Sequence, residues 1–280
     1  MRLAGPIAAT VTAVSAMSLT GTAAAAAAPE YYLALGDSLS VGVQPGPGRT
    51  DQGYTDRLHA DLKARHPRLK LVKLGCPGET TTTMLDGGIC RYAAGSQLNA
   101  AESFLKKHSG RVRYVTLNIG ANDTNACLPG GGVDAGCALK GVGSLVANLP
   151  RITARVRLAG GGTPVYAAMN YYNPGLASWV SGGGGKAAAL ASIPVIDVFN
   201  TYEHAVYRAG GFRVADVNGA FSGHDLTTKV AAPPYGTVPL AVARICAWTY
   251  QCGDGDGHAT PAGYQKIAGA FLKVLPAGGR

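Results

Sequence analysis

The hydrophobic and polar positions of the chain alternate between two patterns. Short apolar, β-branched runs that stop at glycine or a polar turn predict five strands, at residues 31–35, 69–74, 112–119, 164–169 and 212–217. Apolar residues at spacings of three and four predict helices between and after them, at residues 54–66, 96–108, 139–158, 195–208 and 261–275. Strands joined by helical crossovers predict a five-stranded parallel sheet with helices on both faces, a three-layer α/β/α sandwich.

Three segments carry further local predictions. Pro150 lies inside the long helical pattern of residues 139–158, where proline removes a backbone hydrogen bond and should kink the helix. Ser192-Ile-Pro194 has the cap-and-proline signature of a helix start. The aromatic and glycine-rich residues 170–185 read either as a mobile loop beside a cleft or as an ordinary surface loop.

The first 28 residues differ in kind from the rest. Arg2 is followed by an apolar, small-residue run that ends in a series of alanines, which is typical of a secretory signal peptide. We therefore expect residues 1–28 to be a signal peptide and residues 29–280 to form a single domain, exported and extracellular. No later window approaches the roughly 20 apolar residues of a membrane span, so no stable membrane insertion is expected.

The six cysteines agree with export. They contain no Cys-x-x-Cys pair of the kind that binds zinc or exchanges electrons. An even number of cysteines in an exported chain predicts disulfides. Nearest-neighbour pairing, which we favour among the alternatives, joins Cys76 to Cys90, Cys127 to Cys137, and Cys246 to Cys252.

The formal net charge of +9 raises the question of an acidic partner. The basic residues are scattered over the predicted helix faces and do not form a continuous stripe, which favours solvated surfaces over a nucleic-acid site. The expected protein therefore binds no nucleic acid, and we expect a monomer.

Four residues carry chemically complementary groups. Three follow the carboxyl ends of predicted strands, and the fourth precedes the last predicted helix. Ser38 follows the first strand, Gly75 the second and Asn122 the third, and His258 precedes the last helix. Loops at the carboxyl ends of parallel strands converge on one crevice. Acyl transfer needs a hydroxyl nucleophile, a base and donors aimed at the developing oxyanion. Ser38 and His258 supply the first two, and the N–H groups of Ser38 and Gly75 with the Asn122 amide supply the donors.

The chain resembles the GDSL or SGNH hydrolases in four motifs. These are Gly36-Asp37-Ser38-Leu39-Ser40, Gly75, Gly120-Ala-Asn-Asp123, and Asp256-Gly-His258 with the following Pro261. They occur in the family's order, and the secreted, six-cysteine form is similar to actinomycete extracellular esterases and lipases. The resemblance implies Ser38 as nucleophile, His258 as general base, Gly75 and Asn122 as oxyanion donors, ester substrates, and neither metal nor cofactor.

One position departs from the family pattern. The family's aspartate stands three residues before the histidine, where this chain has Gly255. Asp256, Asp254 or a backbone carbonyl near Gly255 remain as partners that orient His258, and we favour Asp256. The alternate aspartates also suggest a calcium loop, but the acidic residue that would close an EF-hand loop is missing.

Two functions of different classes follow from these residues. The first is a secreted serine esterase or lipase that hydrolyses small-molecule, lipid or polysaccharide esters through a Ser38 acyl-enzyme. The alternative is a non-catalytic secreted module that binds glycans or lipids in the same cleft. Turnover and labelling of Ser38 distinguish the two.

Overall fold

The structure is a computed structural model that describes residues 28–125 and 135–276, with residues 1, 2 and 5 at the amino terminus. The predicted signal peptide therefore falls almost entirely outside the described residues, as does Cys127. The signal peptide and the pairing of Cys127 with Cys137 stay predictions.

A five-stranded sheet forms the middle of the domain. All neighbouring strands are parallel, and their order is β2-β1-β3-β4-β5. The strands are β1 (Glu30–Gly36), β2 (Leu69–Lys73), β3 (Val112–Asn118), β4 (Val165–Met169) and β5 (Arg213–Ala215). The predicted five-stranded parallel sheet is confirmed.

Helices and two short antiparallel ribbons complete the chain. The helices are α1 (Tyr54–Lys63), α2 (Thr81–Asp86), α3 (Gln97–Lys107), α4 (Asn122–Asn125), α5 (Ala135–Gly160), α6 (Gly185–Ala209), α7 (Val217–Ala220), α8 (Leu240–Trp248), α9 (Gln251–Asp254) and α10 (Pro261–Val274). Two 3₁₀ helices are η1 (Ser38–Val41) and η2 (Pro174–Val180). The ribbons pair β6 (Lys229–Ala231) with β7 (Thr237–Pro239), and β8 (Thr249–Tyr250) with β9 (Asp256–Ala259).

The sheet is covered on both faces, which gives three layers. Along β1, Tyr32 and Ala34 belong to one hydrophobic cluster, which includes residues of α1 and α10. Leu33 and Leu35 belong to a second cluster, which includes residues of α3 and α5. Because successive side chains of a strand point to opposite faces, a strand buried on both sides must be apolar throughout. This is why β1 appears in the sequence as a continuous apolar run.

Two disulfides occur among the described residues, and both are predicted pairs. Cys76 is bonded to Cys90, and Cys246 is bonded to Cys252. Each bridge closes a short loop and stabilises the fold by about 2–3 kcal/mol by restricting the unfolded chain. Within the described ranges, no helix is long and apolar enough to cross a bilayer.

The predicted helix start at Ser192 is wrong. α6 begins at Gly185 and continues through Pro194. The Ser192 hydroxyl does not cap a helix. It donates to the Ala189 carbonyl at 2.7 Å and accepts from Asn173 Nδ2 at 2.8 Å. Residues 170–185 are also more ordered than a loop, because η2 begins within them after the cap Asn173.

α5 runs without interruption through Pro150. Proline has no N–H, so the carbonyl of Val146, four residues earlier, loses its helical donor. The hydroxyl of Tyr202 on α6 takes that place and donates to the Val146 carbonyl at 2.9 Å. A side chain from the neighbouring helix thus supplies the hydrogen bond that Pro150 removes.

Tyr202→Phe is expected to lower the free energy of unfolding by about 0.5–1 kcal/mol, because the Val146 carbonyl loses this donor. In a Pro150→Ala background the helix regains its own N–H, so the same change should cost measurably less. Chemical denaturation of the four proteins in this double-mutant cycle gives both costs. Equal costs in the two backgrounds would show that Tyr202 does not act through Val146.

Candidate active site

Three of the predicted site residues follow adjacent strands at one edge of the sheet. Ser38 follows β1, Gly75 follows β2 and Asn122 follows β3. β1 lies between β2 and β3, and the order of strands reverses there. Open α/β sheets bind their ligands at this reversal, outside the carboxyl ends of the strands. The sheet therefore brings Ser38, Gly75 and Asn122 to one place.

The turn that carries Ser38 depends on a glycine. Gly36 has φ of 133°, and a Cβ atom there would lie 2.0 Å from the Asn118 carbonyl oxygen. Ser38 opens η1 and is 9% exposed. Neither its backbone N–H nor its Oγ has a hydrogen-bond partner within the described part of the chain. Both groups are thus available to a substrate.

Asp37 fastens the turn to two other strands. Its Oδ1 accepts from Leu39 N at 2.9 Å and from Asn118 Nδ2 at 2.6 Å. Its Oδ2 accepts from the Tyr171 hydroxyl at 2.8 Å. Asn118 ends β3 and Tyr171 follows β4, so one carboxylate holds three strand ends in register.

Burial decides how Asp37 titrates. The side chain is 2% exposed, and desolvation raises the pKa of this carboxyl to about 6. The three donors and the nearby His258 oppose that rise, because each favours the charged form. Asp37 is therefore ionised at neutral pH and becomes protonated under mildly acidic conditions.

Gly75 lies against the turn that carries Ser38. A Cβ atom at Gly75 would lie 1.7 Å from Ser40 Oγ, which itself donates to the Asp37 carbonyl at 2.7 Å. Only glycine allows the backbone to approach this closely. Among the described residues, the Gly75 N–H has no protein acceptor.

Asn122 is held by the segment that follows Gly75. Its Nδ2 donates to the Glu79 carbonyl at 3.0 Å. The next residue, Asp123, accepts from Thr81 N at 2.8 Å and from Thr81 Oγ1 at 2.5 Å. These contacts tie the loop after β3 to the start of α2.

Buried Gln97 links this segment to the turn that carries Ser38. Its Oε1 accepts from Gly36 N at 2.6 Å, and its Nε2 donates to Gly36 O at 3.0 Å and to Glu79 Oε2 at 2.8 Å. Through Glu79, one amide therefore sets Ser38 and Asn122 relative to each other. The sequence pattern marks Gln97 only as a helix residue and carries no signal of this role.

His258 lies on β9 with Asp256 beside it. The Asp256 Oδ1 atom is 2.6 Å from His258 Nδ1 and accepts from His258 N at 2.7 Å. Of the three partners left open by the sequence, Asp256 is the one in contact with Nδ1. Gly255 adopts the left-handed conformation, φ of 68°, that turns the chain into β9. The Tyr172 hydroxyl donates to the Gly257 carbonyl at 2.6 Å and anchors the strand.

β9 packs against η1, so His258 and Ser38 lie in neighbouring elements. The charge of His258 also acts on Asp37, the residue next to Ser38. The structure shows no direct hydrogen bond between the Ser38 hydroxyl and the imidazole. Contacts of this kind commonly shorten only when substrate is bound.

A second buried carboxyl lies behind the loop that carries Asn122. Glu203 on α6 is 0% exposed, and a Cβ atom at Gly120 would lie 3.2 Å from its Oε1. The Tyr207 hydroxyl lies 3.4 Å from Oε1, and Oε2 has no partner within the described ranges. Burial raises the pKa of Glu203 well above its usual range, because desolvation disfavours the ionised carboxylate. A glutamate in a helix gives no sign of such burial in the sequence.

No group of three histidine, cysteine, aspartate or glutamate side chains in the described part of the chain could hold a metal ion. Asp256, one of the two alternate aspartates of the calcium reading, instead contacts His258.

The sequence profile of the GDSL-like lipase/acylhydrolase family matches residues 34–266. The chain belongs to this family. This confirms the resemblance seen in the four motifs, and with it the class of enzyme, a carboxylic ester hydrolase. A comparison with curated protein sequences gives no match.

Solved structures of the same fold include three esterases and lipases. An extracellular lipase from Streptomyces rimosus is 19% identical with a TM-score of 0.53, over 88% of this chain and 99% of the other. A phospholipase A1 from Streptomyces albidoflavus is 20% identical with a TM-score of 0.51, over 89% and 98%. An acetylxylan esterase from Geobacillus stearothermophilus is 16% identical with a TM-score of 0.55, over 90% and 96%. At identities this low, the structural similarity establishes a shared fold and no more.

The titration of Asp37 predicts how stability depends on pH. Its pKa is higher in the folded protein than in the unfolded chain, so its contribution to stability is greatest below about pH 4 and is lost as pH rises through about 6. Relative to Asp37→Asn, the free energy of unfolding of the wild type should fall by about 2–3 kcal/mol between pH 4 and pH 7.5. Urea denaturation at several pH values measures this difference.

Asp61→Asn is the matched control, since Asp61 is exposed on α1. This variant should follow the pH dependence of the wild type. A wild-type stability that rises relative to Asp37→Asn over the same interval would contradict the raised pKa.

Proposed function

We propose that the protein is a secreted serine esterase or lipase that works through an acyl-enzyme on Ser38, with His258 as general base. The observation that carries this proposal is the Asp256–His258 pair on a strand packed against the helix that begins with Ser38. Nucleophile, base and the group that orients the base are the parts of a serine hydrolase.

The first half of the reaction forms the acyl-enzyme. Ser38 Oγ attacks the ester carbonyl while His258 Nε2 removes its proton, and the carbonyl oxygen becomes an oxyanion. The N–H groups of Ser38 and Gly75 and the Asn122 amide donate to that oxygen. Preorganised donors of this type contribute about 3 kcal/mol each in other hydrolases, because they do not have to reorient as the charge develops. His258 then protonates the leaving alcohol.

The second half returns the free enzyme. Water enters, His258 removes its proton, and the hydroxide attacks the acyl group on Ser38. The same three donors stabilise the second oxyanion, and His258 returns the proton to Ser38 Oγ as the acid departs.

Asp256 acts on the imidazole alone. By accepting from Nδ1, it selects the tautomer in which Nε2 carries the lone pair, and it stabilises the imidazolium that forms. Both side chains are about one third exposed, at 32% for Asp256 and 28% for His258. Water therefore reaches the pair, as deacylation requires.

Export and a monomeric state complete the proposal. The amino-terminal sequence and the two disulfides support an extracellular location, where such bridges persist. The extracellular lipase from Streptomyces rimosus has the same fold. Ester substrates of the small-molecule, lipid and polysaccharide types all require the four groups described above. Their selection depends on the loops around the site.

Ser38→Ala should reduce kcat/KM for 4-nitrophenyl butyrate by about 10⁴-fold or more, because no nucleophile remains. The wild type should also be labelled by a fluorophosphonate probe at residue 38, whereas the variant should not. The circular dichroism spectrum confirms that the variant is folded. Undiminished turnover by folded Ser38→Ala would exclude Ser38 as the nucleophile, and binding of esters without any turnover by the wild type would favour the non-catalytic module.

Asp256→Asn should lower kcat by about 10²–10⁴-fold at neutral pH, because an amide can hold Nδ1 in the wrong tautomer. Asp254→Asn is the control, since Asp254 is an exposed aspartate two residues away. Its kcat should stay within about twofold of the wild type. The reverse result, a loss in Asp254→Asn alone, would reassign the orienting group.

A further inference from the structure

A cavity of about 430 Å³ adjoins the proposed oxyanion donor Gly75. Its lining includes Leu74 and Gly75 at the end of β2 and the segment from Cys90 to Tyr92. Arg49, Lys73 and Arg91 also line it, so all of its charged lining residues are basic.

Two attachments hold the segment from Cys90 to Tyr92 beside Gly75. The disulfide from Cys76 to Cys90 joins the residue after Gly75 to the residue before Arg91. The Tyr92 hydroxyl donates to the Leu74 carbonyl at 2.5 Å. Arg91 lies between these two attachments, so its backbone is held close to Gly75.

Arg49 lines the same cavity from a different loop. It belongs to the loop between η1 and α1, and its Nη2 atom lies 3.1 Å from Cys90 Sγ. The neighbouring Thr50 carbonyl accepts from Lys73 Nζ at 3.2 Å, which attaches this loop to β2. Two loops that meet at the end of β2 therefore bring two guanidinium groups to one cavity.

The charges in the cavity are unequally matched. Lys73 is already paired, at 2.8 Å with Asp56 and 3.2 Å with Asp51. Neither Arg49 nor Arg91 forms an ion pair with a carboxylate in the described part of the chain. Guanidinium groups present their donors in a planar fork that fits carboxylate and phosphate groups. Both arginines are exposed, so their guanidinium groups are accessible to an anion beside Gly75.

We propose that Arg49 and Arg91 form a subsite for an anionic substituent, a carboxylate or a phosphate, carried by the ester substrate. This inference rests on the proposed function, since it places the subsite beside the ester that Ser38 attacks. The anion can come from the acyl part or from the alcohol part of the ester, and both share the same chemistry at the arginines. A neutral ester lacks the group and gains nothing from the subsite.

The test compares a neutral ester with two esters that each carry one carboxylate. The neutral reference is 4-nitrophenyl butyrate. 4-Nitrophenyl hydrogen succinate places a carboxylate on the acyl side, and the butyrate ester of 3-carboxy-4-nitrophenol places one on the leaving-group side. The quantity measured is kcat/KM for each anionic ester divided by kcat/KM for the neutral one. This ratio cancels any general effect of the arginines on the oxyanion.

In Arg49→Ala/Arg91→Ala, the ratio should fall by about tenfold or more for at least one of the two anionic esters, because a charged hydrogen-bonding partner is lost twice. The ester that responds identifies the side on which the anion is carried. Arg65→Ala/Arg208→Ala is the matched control, since it removes the same charge from exposed positions elsewhere, in the turn after α1 and on α6. The ratio in this control should stay within about twofold of the wild type, apart from the screened long-range attraction.

Two results would overturn the subsite. One is an unchanged ratio for both anionic esters in Arg49→Ala/Arg91→Ala, and the other is an equal fall in the control. Failure of the proposed function gives a different result, because the wild type would then fail to hydrolyse the neutral ester as well. Unfolding temperatures of both double variants identify any loss of folded protein before the rates are compared.

Discussion

The carboxylate of Asp37 is the interaction on which the geometry of the site depends. It accepts hydrogen bonds from the turn after β1, from the last residue of β3 and from Tyr171, two residues beyond the end of β4. Desolvating a carboxylate is costly, and the three donors offset part of that cost only when all of them are in place. The buried charge therefore disfavours any arrangement in which one strand end moves relative to the others. Ser38, the next residue, is positioned by this requirement.

The contacts of Gln97 and Gly75 hold further parts of the site in fixed positions. Gln97 binds both backbone groups of Gly36 and the side chain of Glu79, whose carbonyl in turn holds Asn122. Gly75 approaches Ser40 so closely that no side chain fits. The proposed oxyanion donors are thus held by backbone and amide contacts that exist without substrate, which is the condition for efficient electrostatic stabilisation.

The outer parts of the site are built differently. His258 and Asp256 lie on a short ribbon that is partly exposed, and Arg49 and Arg91 lie on loops joined to β2 by a disulfide and single hydrogen bonds. A rigid sheet with variable loops lets one catalytic arrangement accept different substrates. In this chain, the loops beside Gly75 carry Arg49 and Arg91, the two arginines of the proposed subsite.

The sequence by itself determined the architecture and the set of reactive groups. Parallel strands buried on both faces are continuous apolar runs, and each run ends at a turn, so the five strands and the positions of Ser38, Gly75 and Asn122 after them are local properties of the chain. A capping residue followed by proline marks a helix start at Thr260 and Pro261, where α10 begins. The similar pair Ser192 and Pro194 lies inside α6 and marks no helix start. α6 continues through Pro194 because packing against η2 and α5 outweighs one lost backbone hydrogen bond.

Only the tertiary structure decided the partners. From the sequence, Asp254, Asp256 and a backbone carbonyl all remained candidates, with Asp256 favoured; in the fold Asp256, after the left-handed turn at Gly255, contacts His258 Nδ1. Other features of the site also depend on residues that are distant along the chain. They are the burial of Asp37 and Glu203, the contacts of Gln97, and the shared cavity of Arg49 and Arg91. Such contacts arise from how layers and loops pack, and hydrophobic periodicity carries no record of them because it describes one element at a time.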